Sequence, residues 1–257
     1  MNVKDLFRLD GKVALVTGGN KGLGRIISQG LAEAGAHVVI AARKKELCDQ
    51  AATELRALGV QSLGIQCDIT KPDQVTAMVD EAVGTFGHID ILVNNAGMFW
   101  AGSPETLPLD KWQRVMDLNI TAMFLVSQAV GRVMIAQKSG RIINVASAAG
   151  LMGIDSDLMD TIVYNTSKGA VVNFTRDLAC KWARHNINVV ALAPGWFASD
   201  LTQGLMEKQG NKLFSIIPMK RFGRPDELKG AAVFLASDAA AYMTGHIMAV
   251  DGGILAT

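Results

Sequence analysis

The run Thr17-Gly18-Gly19-Asn20-Lys21-Gly22-Leu23-Gly24 places four glycines in eight residues. It is a poor helix or strand, because each glycine gives up backbone entropy and side-chain packing. Before it stands Lys12-Val13-Ala14-Leu15-Val16, a short apolar run with β-branched residues, which reads as a buried strand. After it, Leu23, Ile26, Ile27 and Leu31 fall at helical spacing, predicting a helix over Arg25–Ala34 that Gly35 ends. His37 to Ala42 reads as a second buried strand. Glycines between a strand and a helix start are the setting of a phosphate-binding turn. Free N–H groups and the positive end of the helix dipole favour an anion there, and a missing side chain lets it approach. Gly18, Asn20, Lys21, Gly22, Leu23 and Gly24 are therefore candidate ligands of a dinucleotide.

Bulk properties narrow the class. The chain has 257 residues and a net charge of +1, with no electrostatic footprint for nucleic acid or an anionic membrane. Cys48, Cys67 and Cys180 are odd in number, widely spaced and without metal-ligand spacing, which predicts free thiols in a reducing, cytoplasmic setting and no bound metal. The start, from Met1 to Lys12, is too polar for a secretory signal. No apolar run is expected to approach the roughly 18 residues of a membrane span. There are no repeats or linkers, so residues 1–257 are expected to form a single dinucleotide-binding catalytic domain.

Strand and helix patterns alternate. Further strands are predicted over Ser62–Cys67, Asp90–Asn94, Arg141–Ala146, Ile187–Ala193 and His246–Val250. Helices are predicted over Lys44–Leu58, Pro72–Phe86, Lys111–Gln137, Val163–His185 and Pro225–Ala236. Thr70 is the expected cap of the helix that Pro72 and Asp73 open. Strands apolar throughout, alternating with helices, imply an α/β fold: a Rossmann-type, doubly wound parallel sheet of about seven strands with helices on both faces. Ligands of such sheets bind beyond the carboxyl ends of the strands, so the residues just after each strand matter most.

After the second strand, where many NAD sites carry an acid, stand Ala42 and Arg43, followed by Lys44 and Lys45. An acid repels a 2′-phosphate, whereas arginine offers it a bidentate fork. Arg43, with Lys21, therefore predicts NADP(H); otherwise Arg43 and Lys44 are solvated helix-start residues. After the third strand comes Asp68, and after the fourth Asn94-Asn95-Ala96-Gly97.

Tyr164 and Lys168 are four residues apart in a helical stretch and share a face. A phenol with a pKa of about 10 is a weak base near neutrality. A nearby ammonium is expected to lower that value, so that the pair can trade a proton with an alcohol or carbonyl oxygen. Ser147, at the end of the fifth strand, can donate to the same oxygen.

Taken in order, Thr17–Gly24, Asp68, Asn94–Gly97, Asn119, Ser147, Tyr164-Asn165-Thr166-Ser167-Lys168 and Pro194-Gly195 resemble the short-chain dehydrogenase/reductases, single-domain branch, over essentially the whole chain. The resemblance implies a nicotinamide dinucleotide, hydride transfer between a carbinol and a carbonyl, and a homotetramer. It implies that Asn119 holds a water linking Lys168 to solvent, and that Lys168 also bonds the nicotinamide ribose. It adds Asp68, Ile69, Asn95, Ala96, Gly97, Tyr164, Lys168, Pro194, Gly195, Phe197 and Ser199 as cofactor-binding residues; Ser199 stands where the family commonly has threonine.

The gap from Ser147 to Tyr164 is longer than the family's usual one, and the extra residues fall between Met152 and Asp160. A loop there can lengthen without disturbing the sheet and is expected to form one wall of the substrate site. Its aspartates at 155, 157 and 160 lack the remaining ligands of a calcium loop and are expected to cap turns or face solvent. Met98, Phe99, Trp100, this loop and the segment from Trp196 to Phe214 are the candidate lining for a small carbonyl or alcohol substrate, or else core and subunit contacts. The wording around Tyr164 is similar to the gluconate 5-dehydrogenase group; the body equally resembles 3-oxoacyl carrier-protein or CoA reductases. A non-catalytic dinucleotide sensor is the alternative from another class.

Overall fold

The computed structural model describes residues 2–198 and 212–257. Seven strands form one parallel sheet: β1 (Val13–Thr17), β2 (His37–Ala42), β3 (Ser62–Gln66), β4 (Ile91–Asn94), β5 (Gly140–Val145), β6 (Ile187–Pro194) and β7 (Ile247–Val250). Their order is β3-β2-β1-β4-β5-β6-β7. The winding reverses between β1 and β4, and a cleft opens at their carboxyl ends, where strand order switches.

Both faces of the sheet are covered, which explains why the strands read as unbroken apolar runs. Along β1 the side chains alternate: Ala14 and Val16 join the core beneath α1 (Gly22–Glu33), α2 (Lys45–Arg56) and α7 (Pro225–Ala236). Val13 and Leu15 join the opposite core, beneath α3 (Pro72–Phe86), α5 (Ala122–Gln137) and the C-terminal part of α6 (Ile162–Trp182).

The structure corrects several local expectations. The first helix starts at Gly22, inside the glycine run, three residues before the apolar pattern suggests. α3 begins at Pro72 as expected, but its cap position is Lys71. The Thr70 hydroxyl instead donates to Asp68 Oδ1 at 2.8 Å, because it is drawn back toward the end of β3. The helix predicted over 111–137 begins at Leu109 as α4 (Leu109–Met116), widens into π geometry over Asp117–Thr121, and continues as α5.

That continuous stretch, Leu109–Gln137, is by length and mean hydropathy apolar enough to cross a membrane, contrary to the expectation that no run comes close. Its apolarity serves the core: Ala122, Met123, Val126, Val130 and Met134 are buried against the sheet and α6.

On α5, Gly131 lets the ring of Trp182 close over the helix. A Cβ at Gly131 would lie 2.2 Å from Trp182 Cη2. Gly131→Ala is expected to cost about 1–3 kcal/mol through overpacking. Thermal denaturation should show a midpoint lower by several degrees, and an unchanged midpoint would show that the ring moves aside freely.

Candidate active site

The cleft has a volume of about 1440 Å³. The glycine turn reaches it through Lys21 and Leu23. Gly18 and Gly22 take positive φ values of 66° and 53°, open to glycine at no steric cost. Gly24 sits so close to the turn that a Cβ there would fall 2.3 Å from both Gly18 O and Asn95 Nδ2. Asn95 Nδ2 donates to Thr17 O at 2.9 Å and Gly18 O at 3.2 Å. Thr17 Oγ1 accepts from the Asn95 and Ala96 amides, both at 3.1 Å. The ends of β1 and β4 are thus tied to each other, and the Asn95 side chain is spent on holding the turn.

Of the sequence-predicted cofactor residues, Lys21, Leu23, Arg43, Asp68, Gly97, Tyr164, Gly195 and Phe197 line the cleft. Gly18, Asn20, Gly22, Gly24, Ile69, Asn95, Ala96, Lys168 and Pro194 do not. Ile69 packs in the core and Pro194 pairs with Val250 in the sheet, so both shape the site from behind. Ser199 lies outside the described residues, as does Met206. The Lys21 and Arg43 side chains form no ion pair or side-chain hydrogen bond among the described residues, and both are exposed in the cleft. Two free cations and a turn that admits no Cβ fit a phosphorylated dinucleotide. Nearby, burial tends to raise the Asp68 carboxyl, but hydrogen bonds from the Thr70 hydroxyl and amide outweigh that and hold it below its usual range.

Across the cleft stand Ser147, Tyr164 and Lys168. Ser147 follows β5, and its Oγ accepts from the Ala149 amide at 3.2 Å, closing a short turn over Ala148–Gly150. That turn meets α6 backbone to backbone: a Cβ at Gly150 would lie 2.5 Å from the carbonyl carbon of Lys168. The close approach sets Ser147 beside the Tyr164 phenol. Lys168 is buried, lies 5.7 Å from the centroid of the Tyr164 ring, and donates through Nζ to Val145 O at 2.7 Å.

Burial sets the electrostatics of this group. It pushes the Lys168 ammonium down to about 8, since an ion is costly out of water. It pushes the Tyr164 phenol above its ordinary value, and the hydrogen bond from Ser147 offsets only part of that. The sequence expectation of a phenol lowered by Lys168 is therefore not met. The ammonium is aimed at Val145 O, and desolvation of the phenolate wins.

Asn119 is fully buried in the π segment. Its Oδ1 accepts from the Met98 amide at 2.8 Å, and its Nδ2 donates to Met98 O and Ser167 Oγ, each at 2.9 Å. The side chain thus joins the loop after β4 to α6. Gly97 permits this, since a Cβ there would lie 3.1 Å from Asn119 Oδ1 and 3.8 Å from Lys168 Nζ.

Met98, Phe99, Met152, Ile154, Leu158 and Trp196 make an apolar wall at the substrate end. Phe99 sets its ring edge-on to Tyr164 at 5.2 Å between centroids. Trp100, expected in the lining, is instead covered by the Lys111 ammonium at 5.4 Å. The 148–163 loop does form a wall, held to the loop after β4 by the Gly102 amide donating to Asp160 O at 2.8 Å. Asp155 caps a turn, accepting from the Asp157 amide at 2.8 Å, while Asp157 and Asp160 face the cleft. Sequence reasoning missed Thr70, Arg114 and Asn165 as lining residues. Asn165 was open to notice as the polar neighbour of Tyr164. Arg114 reaches the cleft from α4, which packs against α6, and no local pattern reports that.

A Rossmann-type sheet with a phosphate turn at its switch point, and Ser147, Tyr164 and Lys168 beside it, defines a nicotinamide-dinucleotide oxidoreductase. The model of the short chain dehydrogenase family matches residues 12–210, and the chain belongs to that family. It is 42% identical over 255 residues to a 2-dehydro-3-deoxy-D-gluconate 5-dehydrogenase of Escherichia coli, covering 97% of this chain and 98% of that one. It is 38% identical over 249 residues to a 3-oxoacyl-acyl-carrier-protein reductase of Synechocystis, covering 96% and 98%. A crystal structure of a gluconate 5-dehydrogenase from Burkholderia cenocepacia, in complex with NADP and tartrate, superposes with a TM-score of 0.94 at 38% identity over all of both chains.

The raised phenol makes a directional prediction. Tyr164 is protonated through the neutral range, so it is poised to give a proton, as carbonyl reduction requires. Alcohol oxidation needs the phenolate and should rise up to about tenfold per pH unit on the acid side of the phenol's pKa. Reduction should stay level below about pH 8, where Lys168 also keeps its proton. Steady-state kcat/KM against pH in both directions checks this, and an oxidation rate flat from acid to alkaline pH would contradict it.

Proposed function

We propose that the protein is an NADP(H)-dependent reductase and dehydrogenase that interconverts a ketone and a secondary alcohol on a small polyhydroxylated substrate of the keto-sugar-acid type. The observation that carries the chemistry is that Ser147 and Tyr164 line one cleft, with the buried Lys168 5.7 Å from the Tyr164 ring centroid. When bound, the dinucleotide supplies or takes up the hydride. In reduction, the Tyr164 hydroxyl gives its proton to the carbonyl oxygen as the carbon accepts hydride. The Ser147 hydroxyl donates to the same oxygen and stabilises the charge that develops there. Lys168 holds a positive charge beneath the phenol, at a pKa of about 8 that lets it pass a proton on. Asn119 keeps the loop after β4 against α6, consistent with a proton path between Lys168 and solvent.

NADP over NAD rests on Ala42 in place of an acid, with the Arg43 and Lys21 side chains exposed in the cleft and without a hydrogen bond among the described residues. The keto-sugar-acid class rests on the names of the gluconate-type relatives. The apolar wall of Phe99, Met152 and Trp196 favours a second reading, reduction of a 3-oxoacyl thioester. Residues 1–257 are taken as one catalytic unit that assembles as a cytoplasmic homotetramer, supported by family resemblance and by exposed Leu109, Phe124 and Ile162 on α4–α6.

Two experiments test the reading. Arg43→Ala should weaken NADPH binding by about tenfold or more, the worth of one charge-assisted pair, and leave NADH binding little changed; equal loss for both would sink the NADP assignment. Tyr164→Phe should abolish turnover of 5-keto-gluconate while NADPH still binds. If the wild-type enzyme turns over acetoacetyl-CoA and ignores the keto-sugar acid, the thioester reading replaces the first.

A further inference from the structure

Asn165 follows Tyr164 on α6 and lines the same cleft. Thr161 holds the N-cap position of that helix, where a threonine hydroxyl ordinarily accepts from a backbone amide of the first turn. Here it does not cap. Buried in the cleft wall, its Oγ1 donates to Asn165 Oδ1 at 2.9 Å, while the Asn165 amide closes the turn onto Thr161 O, also at 2.9 Å. One edge of the Asn165 carboxamide is therefore fixed. The other edge, Nδ2 with its two protons, has no acceptor among the described residues. A helix that gives up its cap to orient a side chain has set that side chain for a purpose.

The surroundings narrow what Nδ2 can meet. Asp157 and Asp160 line the cleft on the same loop, so a carboxylate placed there would be repelled. Phe99, Met152 and Trp196 offer no acceptor on their ring faces and thioether. A neutral oxygen suits the position. We propose that Asn165 Nδ2 donates a hydrogen bond to a substrate hydroxyl on the carbon next to the reacting carbonyl, so that the enzyme selects α-hydroxyketones over their deoxy analogues. A site that presents an unpaired donor loses a hydrogen bond whenever the hydroxyl is absent, which is how such sites discriminate. The inference rests on Tyr164 being the proton donor, since Tyr164 and Asn165 line the same cleft.

The test compares 1-hydroxybutan-2-one with butan-2-one as substrates in wild type, Asn165→Asp, Asn165→Ala and Thr161→Val. Wild type should prefer the hydroxylated ketone. The ratio of the two kcat/KM values should fall about tenfold in Asn165→Ala, through KM of the hydroxylated ketone, in line with one lost hydrogen bond, and less in Asn165→Asp, whose carboxylate can still accept from the hydroxyl. Thr161→Val should give a smaller fall, because it frees the amide without removing it. NADPH binding, followed by fluorescence, reports whether each variant is folded. A wild-type enzyme with no preference for the hydroxyl overturns the inference, as does a ratio unchanged in both Asn165 variants. Turnover that survives Tyr164→Phe fails the proposed chemistry instead, so the two failures are told apart.

Discussion

The site depends first on the tie between the ends of β1 and β4. Thr17 Oγ1 accepts two amides from Asn95 and Ala96, and the Asn95 carboxamide returns two bonds to Thr17 O and Gly18 O. These bonds close the sheet at its switch point and fix the path of the glycine turn. Gly24 then presses the first turn of α1 onto that path, at a distance no side chain allows. The helix N-terminus, its free amides and the cations Lys21 and Arg43 all take their places from this arrangement. A phosphate seat is the consequence of strands meeting, more than of any single residue.

A second close approach builds the chemical half of the cleft. Gly150 brings the turn after β5 against the backbone of Lys168. Ser147 is thereby set against Tyr164, and Lys168 is sealed under the sheet edge with Val145 O as its acceptor. Burial costs the ammonium some of its basicity and holds the phenol in its acid form. The same water exclusion strengthens every dipole aimed at the reacting oxygen. The group is thus poised to donate a proton before any substrate arrives, and the balance of burial over charge attraction is what poises it.

The candidate substrate wall is built on the loops rather than the sheet. The loop after β4 is pinned from below by Asn119 and from the side by Asp160 O. It carries Phe99 to the edge of the Tyr164 ring. The longer loop after β5 supplies Met152, Ile154, Leu158 and two aspartates. An apolar wall facing carboxylates and a fixed amide is a mixed surface, able to hold a carbon chain while sorting its oxygens.

Local chain chemistry was enough for the frame. Apolar strands alternating with helices required a covered parallel sheet, and glycines between β1 and α1 marked a tight turn into the first helix, because both follow from spacing along the backbone. Tyr164 and Lys168 were legible for the same reason: four residues on a helix share a face. Packing decided what spacing does not record. Thr70 left its cap to bond Asp68, the Asn95 carboxamide tied the end of β4 to the glycine turn, and Trp100 went under Lys111. Arg114 and Asn165 entered the cleft through the packing of α4 against α6. Whether Lys168 lowers the Tyr164 phenol was also settled in three dimensions. A charge's effect depends on how much water is removed from its neighbour, and only the folded chain sets that.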